Sequence, residues 1–239
     1  MRLALHTREI MATITANLQA VHERITRAAR AAGRRADEIA LVAASKTFPA
    51  ECIAEAHTAG QRAFGENHLQ EAVGKITHLA HLPLEWHFIG PIQSNKARPI
   101  AERFQWVHSV ERGEIARRLN DARPEGLPPL NVCIQINVSG EASKSGVAPG
   151  EEVRLAEAIA RLPRLRLRGL MAIPEPTSDM ALQRRRFALL RELKEKLAAR
   201  GYALDALSMG MSDDLEAAIM EGATLVRVGT SIFGQRQKA

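Results

Sequence analysis

Aromatic residues make up only 4% of this 239-residue chain, with a single tyrosine and two tryptophans. A surface for single-stranded nucleic acid interleaves aromatic and basic side chains, so none is expected. The core must be Ala, Leu, Ile and Val, and at 46% apolar residues the chain has enough of them. The only cysteines, Cys52 and Cys133, lie far apart. That argues against a disulfide framework and for a reducing compartment, the cytoplasm. No apolar run approaches the ~20 residues of a membrane span, so no membrane partner is expected. The first ten residues lack the apolar segment and cleavage site of a secretory signal. Residues 1–12 are expected to form a disordered extension, with Met11 an alternative start, ahead of one domain over 13–236. The sequon at Asn137 sits at an expected strand end in a cytoplasmic-looking chain and is discounted. His78, His81 and His87 match no zinc spacing, so no metal is expected. The net charge is +6, but its arginines alternate with glutamates, as over 184–200, in the manner of a solvated helix face. No nucleic-acid partner is expected.

What the chain does have is a repeated alternation. A helical apolar stripe (Ile14, Leu18, Val21, Ile25, Ala28) leads. Short apolar runs then alternate with helical segments: 39–44 (IALVAA), 62–64, 85–89 (EWHFI), 106–108, 132–138 (VCIQINV), 165–170, and runs starting at Leu207 and Leu225. Asn95 to Glu102 is read as a short helix despite Pro99, and Ser109 as the cap of a helix over 111–122. Helix 180–200 carries an apolar face at Phe187, Leu190, Leu193 and Leu197, for packing on the sheet. Eight β–α units behind one helix predict a parallel sheet closed as a single (β/α)8 TIM barrel. No GxGxxG follows the first strand and no P-loop occurs, against a nucleotide-binding open sheet.

In such a barrel function collects where strands end. The last two strands both run into small residues. Ser208, Met209 and Gly210 follow one, with Ser212 and Asp213 as N-cap and first turn of a helix; Gly229, Thr230 and Ser231 follow the other. Backbone N–H groups and hydroxyls at such turns favour a phosphate dianion, although two ordinary turns would look the same locally. Lys46 ends the first strand in parity with Ala40, Val42 and Ala44. An inward lysine is costly unless paired or neutral, and a neutral amine forms a Schiff base; the plain alternative is a lysine snorkelling from the barrel mouth. Closure puts the last loops beside Lys46, and a Schiff-base lysine next to a phosphate cradle suggests pyridoxal 5′-phosphate (PLP). Arg227 shares parity with Leu225 and is expected to face the same cavity opposite a pyridine nitrogen, with a phosphate or ion-pair contact as the plain alternative. In strand six, Arg166 and Arg168 alternate with leucines, so one of them enters the barrel beside an unnamed acid. Lys144 is read as a flexible basic loop residue, with a lid that relays cofactor as the sharper alternative.

The segments LVAASKTFP, FGENHLQE, WHFIGPIQSNK, HSV, QINVSGEASKSG, LRGLMAIP and SMGMSDDLEAAIMEGATLVRVGTSIFG closely resemble the pyridoxal phosphate homeostasis family, over roughly 13–236. The resemblance implies a barrel related to the N-terminal domain of alanine racemase. It implies that Lys46 holds PLP as an internal aldimine, that Ser208, Gly229 and Thr230 contact its phosphate with help from the Gly210 backbone, that Arg227 lies near the pyridine ring, and that Asn67 lies on the cofactor side. His68 departs from the family's usual tyrosine, which places the change at the pocket rim.

Two functions then compete. One is a carrier that maintains and delivers PLP in vitamin B6 homeostasis, with PLP-dependent apo-enzymes as partners, no catalytic residue, and a monomer or weak dimer as its state. The alternative is a PLP-dependent amino-acid racemase. Racemases of the related family take a tyrosine from a second domain of a partner subunit. This sequence ends after the barrel, and its one tyrosine, Tyr202, is expected on the side away from the strand ends, which ranks the carrier first.

Overall fold

The alternation closes into a ring. A computed structural model describes residues 2–140 and 145–235, with side chains from residue 13 onward. The strands β1 (Ala40–Ala44), β2 (Ala63–Glu66), β3 (Glu85–Phe88), β4 (Trp106–Val110), β5 (Leu130–Gln135), β6 (Leu165–Met171), β7 (Ala206–Ser208) and β8 (Leu225–Val228) follow one another around a closed barrel. Neighbours are parallel throughout, and β8 returns to β1 with Leu225 opposite Ala40 and Arg227 opposite Val42. Helices α2 (Ala50–Thr58), α3 (Leu69–His78), α4 (Ala97–Arg103), α5 (Gly113–Ala122), α6 (Glu152–Ala160), α7 (Met180–Ala198), α8 (Leu215–Met220) and α9 (Thr230–Phe233) connect and follow them. Among the described residues no helix is long and apolar enough to cross a membrane.

The leading helix, α1 (Arg2–Ala31), begins ahead of the stripe that marks it in the sequence. Ile14, Leu18, Val21, Ile25 and Ala28 are all buried. Asn17 Nδ2 donates to the Ile232 carbonyl at 2.9 Å, and Arg24 donates to both carboxylate oxygens of Glu216 at 2.9 and 3.0 Å. The helix therefore buttresses α8 and α9, which follow the last two strands. Face residues Phe187, Leu190, Leu193 and Leu197 of α7 are buried in the outer core, as their spacing predicts.

Three local expectations change. Ser109 does not cap α5; its hydroxyl donates to the Gly90 carbonyl, and α5 starts only at Gly113. Ser212 and Asp213 precede α8 rather than opening it. Its N-cap is Asp214, whose Oδ1 accepts from Met211 N at 2.5 Å and so closes a turn instead of capping the helix. Asn95 falls in a 3₁₀ turn (Ser94–Lys96), and α4 begins at Ala97. Pro99 then lies in the first turn, where a missing N–H costs nothing.

Inside the ring, Val42, Trp106, Cys133, Met171, Ala206 and Leu225 form a second, smaller core. Burial pushes the Cys133 thiol up to about 12, so it serves as packing. The register between β5 and β6 shifts by one residue between Val132 and Cys133. That bulge turns Arg168 towards the barrel floor, 4.6 Å above the Trp106 ring, with Asp205 accepting from Nε and Nη2 at 2.7 and 2.6 Å. Arg168 is thus the inward arginine of strand six, and Asp205 is its acid. At Gly169 the backbones of β6 and β7 approach so closely that a Cβ would lie 1.8 Å from the Ala206 carbonyl oxygen. Gly169→Ala is expected to cost about 3 kcal/mol, seen as a lower urea midpoint at unchanged denaturant slope.

Candidate functional site

Lys46 sits just past β1, on a turn tied down on both flanks. The Ser45 hydroxyl donates to Glu66 Oε1 at 2.7 Å. Lys75 Nζ donates to the Ser45 carbonyl at 2.9 Å and to Glu66 Oε1 at 2.8 Å. Beyond Lys46, the Thr47 amide donates to Glu71 Oε1 at 2.8 Å, and Glu71 also pairs with Lys75. Thr47 has φ 69°, the left-handed region, which costs a side-chain-bearing residue roughly 1–2 kcal/mol. Such strain persists only where surroundings over-determine it, and here the buried Lys75 with its two glutamates does so. Burial pushes the Glu66 carboxyl up, while the charge and hydrogen bond of Lys75 oppose that shift.

One cavity of about 300 Å³ opens at the carboxyl ends of the strands, small for a ligand site but within the usual range. Lys46, Asn67, Arg227, Gly229 and Thr230 all line it, joined by Met211, Ser212 and Asp213 from the β7–α8 loop. Both terminal loops therefore meet the Lys46 turn at one space. Lys46 and Arg227 set two basic side chains against the single acid Asp213 in the lining, a balance suited to an anion. The Asn67 side-chain oxygen is buried with no hydrogen-bond partner among the described residues, an acceptor that an occupant of the cavity would satisfy. At Gly229 a Cβ would lie 2.9 Å from the Ala44 carbonyl oxygen, so the β8 turn can press against β1 only without a side chain. Arg24 Nη2 donates to the Ser212 carbonyl at 2.9 Å, fastening the other loop to α1. These residues fit a small phosphorylated aldehyde, with an amine, an anion-favouring end and an amide in one enclosure.

Ser208 and Gly210 do not line the cavity. Ser208 is fully buried beneath it, and Gly210, at φ 93°, leaves no room for a Cβ, which would lie 2.7 Å from Ala218 Cβ. The Gly210 carbonyl accepts from the Arg227 amide at 2.9 Å. His68 is exposed at the head of α3 and is not a cavity residue, so its departure from tyrosine does not alter the lining. The Lys144 loop reading falls outside the described residues. Among the described residues no group of three potential metal ligands occurs.

Sequence reasoning missed a polar chain inside the ring. Arg227 Nη1 donates to Ser208 Oγ at 2.6 Å and Nη2 to the Ala172 carbonyl at 2.8 Å. Ser208 Oγ lies 2.6 Å from His108 Nδ1, His108 Nε2 lies 2.9 Å from His87 Nδ1, and His87 Nε2 lies 2.7 Å from Glu85 Oε1. Burial lowers His87 and lowers His108 well below the usual imidazole value, so both are neutral. Burial also pulls Arg227 down to about 10, which still leaves it a cation at neutral pH. A signal was present in the alternation: Glu85 and His87 share one parity of β3, and His108 shares the parity of Trp106 in β4. The Lys75 cluster carried no such signal, because helical spacing makes Lys75 look like an ordinary surface lysine.

Residues 16–237 match the family described as the alanine racemase N-terminal domain, and the chain belongs to that family. Within it, the chain is a member of the pyridoxal phosphate homeostasis proteins. It is 65% identical over 226 residues to the protein of that name from Pseudomonas aeruginosa, covering 95% of this chain and 97% of the relative. It is 55% identical over 232 residues to that of Escherichia coli K12, covering 95% and 98%. Among solved structures, PipY of Synechococcus elongatus PCC7942, determined with PLP bound, superposes with a TM-score of 0.80 at 36% identity, covering 92% of this chain and all of PipY (100%). Alanine racemase of Corynebacterium glutamicum shares the fold, with a TM-score of 0.69 at 16% identity, and this chain covers 62% of it.

The Lys75 cluster yields a test. Glu66 is held above its ordinary value in the folded chain, so its charge opposes folding increasingly as pH rises through that range. Lys75→Met removes the main offset and is expected to cost about 3 kcal/mol at neutral pH. The cost should shrink in mildly acid solution, as pH falls through the raised range of Glu66 and the folded-state carboxyl takes a proton and no longer needs the lysine charge. Urea midpoints at the two pH values check this, and equal losses would reject it.

Proposed function

We infer that this protein binds PLP in the cavity at the strand ends, holds it through Lys46, and maintains and delivers it without strong catalysis of its own. The observation that carries the reading is the meeting of Lys46, Arg227 and both terminal loops on one small cavity. PLP brings an aldehyde, with which a neutral lysine amine condenses with loss of water. Lys46 supplies that amine, on a turn kept rigid by Glu66, Glu71 and Lys75. Gly229 and Thr230 face the phosphate, with Ser212 beside them. Asn67 would meet the ring side with its buried amide, and Arg227 would meet the pyridine edge. Ser208 and Gly210 serve from beneath: Ser208 accepts from the Arg227 guanidinium, and Gly210 holds the Arg227 backbone.

The homeostasis role is supported by the names of the Pseudomonas aeruginosa and Escherichia coli relatives, and the cofactor by the PLP-bound PipY. A racemase needs a second base opposite the lysine. The one tyrosine of this chain, Tyr202, lies between α7 and β7, where strands begin, and is not a cavity residue. That favours a carrier over a racemase. In this reading the carrier supplies PLP-dependent apo-enzymes in the cytoplasm, as a monomer or weak dimer built on a barrel domain over 13–236.

Protein incubated with PLP and desalted is expected to show the visible absorbance of a lysine-linked cofactor, and Lys46→Ala is expected to lose it. Borohydride reduction should leave the added mass on the Lys46 peptide. A colourless wild-type protein rejects the reading. Enzyme-like solvent deuterium exchange at Cα of alanine would replace the carrier with the racemase.

A further inference from the structure

The polar chain through the barrel has no part in the chemistry assigned to Lys46, and it runs from one end of the ring to the other. Arg227 meets the cavity at the carboxyl ends of the strands. Glu85 opens β3 at the amino ends, with its side chain 49% exposed. Between them Ser208, His108 and His87 are all essentially inaccessible to solvent.

The direction of every hydrogen bond in this chain follows from its two ends. A guanidinium only donates, and an ionised carboxylate only accepts. Hydrogen bonding from His87 is the largest influence on Glu85 and, against the opposing effect of burial, holds it below the usual carboxylate range, so it is ionised. His87 must therefore place its proton on Nε2, facing Glu85. Its Nδ1 is then an acceptor, and His108 donates to it from Nε2. His108 Nδ1 is left as an acceptor for the Ser208 hydroxyl, whose oxygen accepts from Arg227. The reverse polarity would set the bare His87 Nε2 against a carboxylate and leave the buried Ser208 hydrogen without an acceptor. One arrangement satisfies every proton, and it points from the cavity to the far mouth.

We propose that Glu85, His87, His108 and Ser208 form a one-way hydrogen-bond relay that makes Glu85 the remote counter-charge of Arg227 and fixes the guanidinium at the cavity floor. Each neutral member is polarised in the same sense, so the cation at one end and the anion at the other reinforce each other through the row. Asp214 is the nearer acid whose charge favours the Arg227 cation, and the Ala172 carbonyl accepts from Nη2, but neither ties Arg227 to the far mouth. His87 is held in place by stacking on Trp106, at 5.5 Å between ring centres and 8° between planes. The four act as positioning residues: none lines the cavity, and all act through Arg227.

The relay is tested first without any ligand. Nitrogen NMR of histidine-labelled protein is expected to show His87 and His108 as neutral imidazoles, both protonated at Nε2. An Nδ1-protonated form or an imidazolium at either residue overturns the proposal. The consequence for the cavity rests on the PLP reading, with PLP as the probe in equilibrium dialysis. Glu85→Gln, which keeps an oxygen to accept from His87 Nε2 while removing the charge, is expected to weaken PLP binding roughly tenfold from the opposite end of the barrel. In a Ser208→Ala background, where the relay is already cut, the same change should add nothing. No effect of Glu85→Gln, or an equal effect with and without Ser208, overturns the coupling. If wild-type protein binds no PLP, the functional reading fails, while the tautomers still decide the relay.

Discussion

The pairing of the last strand with the first is the constraint on which everything else depends. Leu225 to Val228 lie in register with Ala40 to Ala43. That ladder joins the two ends of the domain and brings the β8 turn against Ala44, at a distance only glycine allows. An amine early in the chain and two loops at its end thereby share one cavity. An open sheet of the same elements would leave them on opposite edges. The helix α1 reinforces the seam from outside, with Asn17 and Arg24 bonded to the segments that follow β7 and β8.

Each basic residue of the cavity stands on a buried polar system of its own. Under the Lys46 turn lies Lys75 with Glu66 and Glu71; under Arg227 lies the row ending at Glu85. Buried charges are tolerated only when paired and hydrogen-bonded, so these systems hold their members in single arrangements. The cavity residues inherit that rigidity. A binding constellation is kept in geometry by what supports it, and here the supports extend to α3 on one side and through the whole barrel on the other.

The comparison with the distant racemases separates fold from site. At 16% identity the alanine racemase of Corynebacterium glutamicum still follows the same barrel. A closed parallel ring requires only short apolar strands, amphipathic helices and small residues at close approaches, and many sequences meet those demands. What a barrel does is decided by a few side chains at the carboxyl ends of its strands.

Much was legible in the sequence alone. Periodicity distinguishes strand from helix and inward from outward, so the eight units, the buried face of α7 and the inward parity of Lys46 and Arg227 were all readable. Small residues after the last two strands marked the loops that reach the cavity. Partners across the ring were not readable, because periodicity carries no information about which polar groups meet. Ser109 looked like a cap and bonds Gly90 instead; Ser212 and Asp213 looked like a helix start and form a cavity wall. Ser208 looked like a loop residue of the site and lies buried beneath the cavity, and a one-residue bulge decided that Arg168 reaches the floor. The sequence by itself determined the order of elements and the faces they bury. Only the tertiary structure decided which buried charges pair, since that depends on strand register and ring closure, which bring together residues far apart along the chain.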